Sequence, residues 1–105
     1  MDIRVTARRI EIHDQLKDYI DAKVSKLTRI YPGLIEASVV VEQDRYQFVT
    51  ELSVHSKPFD IFSRSQHQDV KQSILSAVRK AERQLRRHKE RLQEHKGRGQ
   101  PEAET

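Results

Sequence analysis

Cysteine is absent from the 105 residues, which removes disulfide frameworks, thiolate metal sites and thiol nucleophiles together and leaves packing alone to hold the fold. The three glycines form no phosphate-cradling loop, and the chain has neither an HExxH helix nor a nucleophile elbow. Serines and acids occur without the spacing that sets a base beside a nucleophile. The sequence therefore predicts no enzyme, no cofactor and no small-molecule substrate. No run approaches the ~18 apolar residues of a membrane span, and Met1-Asp2-Ile3-Arg4-Val5 lacks the basic-then-apolar pattern of a secretion signal. A cytoplasmic protein without a membrane partner is expected.

Apolar residues are sparse as well, at 35% with a mean hydropathy of −0.82, but they fall into periodic segments, which separates a lean folded domain from a disordered chain. Length leaves room for one core. Ile3, Val5 and Ala7 alternate with polar neighbours and predict a first strand. Leu16, Ile20, Val24, Leu27 and Tyr31 recur at spacings of four and three and predict a helix from about His13 to Ile30. Asp14 sits favourably in its first turn, and Pro32-Gly33 ends it, with glycine in the left-handed conformation common there. Ile35–Glu42 is a second strand, Gln43-Asp44-Arg45 a turn, and Phe48–Val54 a third strand. Ser56-Lys57-Pro58 turns into a short fourth strand, Asp60–Ser63.

From about Gln68 to His95 the seam Ile74, Val78, Ala81, Leu85 and Leu92 predicts a second helix, closed by Gly97, Gly99 and Pro101. The expected divisions are one α/β domain over residues 1–96 and a disordered polar tail over 97–105. The fold class is α+β, ordered βαβββα. A right-handed crossover makes strands one and two parallel, and short turns make strands two to four an antiparallel meander. The result is a four-stranded mixed sheet with two parallel helices on one face. Its other face is open to solvent, where Glu36, Ser38, Glu51 and Ser53 alternate with apolar residues.

Charge is distributed unevenly. Between Arg79 and Arg91 seven bases meet only Glu82 and Glu90, a local +5, while the rest of the chain nets −1. The second helix is about 42 Å long at 1.5 Å per residue, against about 20–23 Å for strands of six or seven residues, so its basic half projects past the sheet. Lys80, Arg83, Arg87 and Arg91 form a stripe away from the seam, and Arg79 and Arg86 widen it. Such a stripe suits a phosphate ladder. Two acids cannot neutralise it, so a merely solvated face is the weaker alternative. On the first helix Lys23 and Lys26 occupy one shoulder and Asp14, Asp18 and Asp21 the other. Histidines 88 and 95 share a helix face but stand about 10.5 Å apart along the axis, too far to ligate one ion at about 2.0–2.1 Å; no metal site is predicted.

Taken together, Thr6–Ile12 (TARRIEI), Ala22-Lys23-Val24-Ser25-Lys26-Leu27, Ala37-Ser38-Val39-Val40-Val41-Glu42, Gln68-Asp69-Val70 and the run from Arg79 to Lys89 (RKAERQLRRHK) resemble the ribosome hibernation-promoting factors. That group is also called ribosome-associated inhibitor or sigma-54 modulation protein. The resemblance spans about residues 1–96 and implies a fold similar to double-stranded RNA-binding domains. It implies binding to small-subunit ribosomal RNA of the 70S ribosome near the decoding centre, overlapping the messenger and transfer RNA sites. Translation would stop while idle ribosomes are preserved, as in stress and stationary phase. The RNA contacts implied are Lys23 and Lys26 on the first helix and Lys80, Arg83, Arg87, Lys89 and Arg91 on the second, with Arg8 and Arg9 as additions beside Arg79 and Arg86. The chain resembles the short form, for which ribosome pairing needs a separate modulation factor. It departs from the family's usual Asp-Met-Tyr-Ala-Ala-Ile at Asp69-Val70-Lys71-Gln72-Ser73-Ile74, where the packing of the second helix's first turns is in question. Two other readings fit the residues alone: a general double-stranded RNA-binding module, and a coiled-coil interaction domain dimerising through the Ile74–Leu92 seam.

Overall fold

The computed structural model describes residues 1–98, with side chains through Gln93. The order is β1 (Asp2–Arg8), α1 (Asp14–Ser25), α2 (Leu27–Ile30), β2 (Leu34–Asp44), β3 (Gln47–Ser56), β4 (Asp60–His67) and α3 (Val70–Arg98). The sheet order is β1-β2-β3-β4, with β1 parallel to β2 and the remaining pairs antiparallel. The helices cover one face. Ile20, Val24 and Leu27 from α1 and α2 join Ile74, Ala77, Val78, Ala81 and Leu85 of α3 over Val39, Val41, Leu52, Val54 and Ile61 in a single core.

Several local expectations are corrected. The helix foreseen from His13 to Ile30 breaks at Lys26, which closes α1. Ser25 Oγ donates to the Asp21 carbonyl and Thr28 Oγ1 to the Ser25 carbonyl, and such back-bonding competes with the helical ladder and bends it. Gly33 is not left-handed, because no glycine among the described residues has positive φ; α2 ends on extended Tyr31. A Cβ at position 33 would lie 2.7 Å from the Tyr31 ring, so the close approach of that ring selects glycine.

The hairpin turn is Arg45-Tyr46, not residues 43–45, with Arg45 at φ 57°. β4 runs to His67, twice the expected span. Its inward positions Ser63 and Ser65 are buried, and hydroxyls there erase the apolar alternation by which a strand is read. Ser63 Oγ donates to the Ala77 carbonyl at 2.7 Å, and Thr50 and Ser73 share a buried hydrogen bond of 2.8 Å. The divergent first turns of α3 are therefore fastened to the sheet by hydroxyls. The Asp69 side chain caps α3 by accepting from the Gln72 N–H at 3.0 Å.

α3 spans 29 residues, about 43 Å, and the molecule measures 55 × 22 × 16 Å. It passes residue 96 and Gly97 without ending, since a glycine costs a helix only about 1 kcal/mol relative to alanine. The foreseen tail beyond Arg98 lies outside the described residues. Where α3 leaves the sheet, the His88 ring stacks on Phe59 with centroids 4.4 Å apart, and Phe59 packs on Tyr31 at 5.3 Å. That contact puts His88 beside the β3–β4 turn, so only the residues after it project from that end; Lys80, Arg83 and Arg87, foreseen on the projecting half, lie on the part of α3 that still packs along the sheet.

Candidate RNA-binding surface

The seam of α3 fixes where its cations can point. A helix turns 100° per residue, so burying Ile74, Ala81 and Leu85 leaves two shoulders and an outward face. On the shoulder over β4, Lys80 Nζ donates to the Arg64 carbonyl at 2.8 Å and Gln84 Nε2 to the Phe62 carbonyl at 2.7 Å. β4 is an edge strand, and these bonds occupy acceptors that would otherwise stand free. Lys80 is thus not wholly on the free stripe predicted for it, although an ammonium has three donors and keeps two.

The other shoulder faces α1 and α2 across a groove of about 360 Å³. Arg79 and Arg86 line one wall, and Lys23, Lys26 and Arg29 the other, above Leu27, Ile30, Leu75 and Val78. Glu82 also lies in it, accepting from Arg86 Nη2 at 2.9 Å. Five cations thus meet one carboxylate, and cations on facing low-dielectric walls reinforce each other's potential. Lys71 extends the basic track toward the start of α3, its Nζ 5.4 Å from the Tyr19 ring centroid, as is Lys23 Nζ on the same ring.

The outward face carries Arg83 and Arg87. Both are exposed, and neither enters any of the three ion pairs among the described residues. Arg91 is exposed near the projecting end, and half-buried Lys89 lines a second cleft. The predicted stripe is therefore divided among a groove wall (Arg79, Arg86), an outer ridge (Arg83, Arg87), a shoulder beside the edge strand (Lys80) and the projecting end (Arg91).

Arg8 and Arg9 do not join them. Arg8 pairs in register with Glu42 near the end of β1, roughly 20 Å of strand from the turn beside His88, and Arg9 follows at φ 60°. Sequence reasoning missed Arg29 and Lys71. Arg29 follows three residues after Lys26 and lines the same groove, but it lies beyond the segregated Lys23–Lys26 shoulder by which that face is read. Lys71 gave no signal except its place on the shoulder of α3.

A family model described as sigma 54 modulation protein / S30EA ribosomal protein matches residues 3–93. The chain belongs to this family. Among its relatives are the ribosome hibernation promoting factor of Escherichia coli K12, 25% identical over 95 residues that cover 90% of this chain and all of that one, and that of Azotobacter vinelandii, 25% identical over 87% of this chain and 85% of the relative. The fold is that of the N-terminal domain of Thermus thermophilus Protein Y, with TM-score 0.78 and 27% identity over 84% of this chain and 99% of the other. A ribosomal subunit interface protein from Coxiella burnetii shares the fold at TM-score 0.80 and 16% identity, over 85% and 98% of the two chains. The family match over residues 3–93 extends across both the sheet and the basic helix.

Proposed function

We propose that this protein is a non-enzymatic ribosome hibernation factor of the cytoplasm. It binds ribosomal RNA of the small subunit near the decoding centre, occupies the messenger and transfer RNA sites, and holds the 70S ribosome idle and intact under stress or in stationary phase. Pairing of ribosomes would then require a separate modulation factor. One observation carries this reading: Arg83 and Arg87 stand outward on α3, just before it leaves the sheet, with no carboxylate partner among the described residues, in a chain that matches the family over residues 3–93. Unpaired guanidinium groups suit phosphate, which they can contact through two parallel hydrogen bonds.

The experiment is a sucrose gradient of 70S ribosomes with the protein and with the double variant Arg83→Glu, Arg87→Glu. The unaltered chain should co-sediment. The variant should lose at least about a hundredfold in affinity, from about 1.5 kcal/mol for each charged hydrogen bond removed, with an unchanged melting curve. Undiminished co-sedimentation of the variant would exclude the outward ridge as the contact. The general duplex-binding reading is separated by titrating isolated duplex RNA beside ribosomes, since it predicts similar affinity for both. The coiled-coil reading loses its surface, because Ile74, Val78, Ala81 and Leu85 are buried in this chain's own core.

A further inference from the structure

Two clefts meet at Arg29. The first is the basic groove between α3 and the α1–α2 pair. The second, about 490 Å³, opens where α3 leaves the sheet, and its size falls within the roughly 300–1,000 Å³ of ligand pockets. Arg29 and Ile30 line both clefts, so the two form one trough whose chemistry changes along its length. The first half is cationic. The second is walled by Tyr31, Pro32, Pro58 and Leu92, with Lys89 and Gln93 at its side.

A strand with an anionic backbone and flat apolar side groups is complementary to that succession. We propose that the trough binds a single unpaired RNA strand, with phosphates along the basic half and on Arg29, and one base seated in the apolar half. This deepens the RNA-binding reading above and rests on it. In a duplex the bases are paired inside and the surface offers phosphate and 2′-hydroxyl groups, which leaves the apolar half without a partner. Unpaired strands turn their bases outward onto apolar and aromatic surface.

The apolar wall is rigid before any strand arrives. Tyr31 is held by Phe59, and Phe59 is stacked on His88, while two prolines fix their own φ and present no N–H to satisfy. Little ordering is then needed on binding. The groups come from α2, the loop after it, the β3–β4 turn and α3, distant in sequence, which is why no stacking platform is legible along the chain.

The test titrates the full chain with single-stranded hexauridylate and with a duplex of equal length, by fluorescence anisotropy across a salt series. Single strand should bind at least about tenfold tighter than duplex, the equivalent of seating one base. Arg29→Ala should lower the single-strand log–log salt slope by about 0.7, the value for one phosphate. Leu92→Ser should weaken single-strand binding about fivefold with the slope unchanged, and thermal melts of both variants should show that they remain folded. Equal or tighter duplex binding, or an unchanged slope in Arg29→Ala, would overturn the proposal. Ribosome co-sedimentation is run in parallel. A chain that prefers hexauridylate but ignores ribosomes keeps the trough and loses the hibernation reading, whereas one that binds ribosomes without strand preference does the reverse.

Discussion

Arg83, Arg86 and Arg87 are near neighbours in sequence with different surroundings. Arg86 gives a hydrogen bond to Glu82 inside the groove, whereas Arg83 and Arg87 stand outside it. Glu82 therefore competes with any phosphate for the groove's cations. Glu82→Gln should tighten RNA binding about two- to fivefold at low salt, in line with about 0.5–1 kcal/mol for an exposed ion pair, and steepen the salt dependence. It should cost helix stability only about 0.3–0.5 kcal/mol, and RNA titration beside thermal melts measures both. At position 33 the determinant is steric. Gly33→Ala would press a methyl against the Tyr31 ring and should destabilise by about 1–3 kcal/mol, read as a lowered denaturant midpoint with an unchanged slope.

Individual elements respond to the ties between α3 and the sheet. Ser63→Ala removes the hydroxyl that donates to the Ala77 carbonyl and should cost about 1 kcal/mol, measurable by urea unfolding. The same serine explains a limit on reading this sequence. Elements with an apolar period were legible: α1 through Ile20 and Val24, α3 through Ile74, Ala81 and Leu85, and β2 and β3 through their valines. β4 was half legible, because Ser63 and Ser65 satisfy their burial with hydrogen-bonding chemistry that does not register as hydrophobic spacing. Site residues followed the same division. The cations of α3 stand out as a local excess of charge, and Lys23 and Lys26 as a segregated shoulder. Arg29 and the apolar cleft are legible only once the tertiary fold brings Arg29, Tyr31, Pro58 and Leu92 together.

In the whole molecule, one core carries all three helices, and the basic arm is continuous with that core. Leu85, fully buried among the core residues, is the last such anchor before the arm. Leu85→Glu would bury an unpaired charge, a loss of about 3–5 kcal/mol, and should unfold the domain; analytical ultracentrifugation with circular dichroism would show that. A folded monomer released from a dimer would instead revive the coiled-coil reading. The side chains of Lys80 and Gln84 that fasten α3 over β4 have a consequence for copies of this protein at high concentration. A neighbouring molecule seeking to extend the sheet along that border finds the carbonyls of Phe62 and Arg64 already engaged, so crowded copies should stay dispersed instead of polymerising through it.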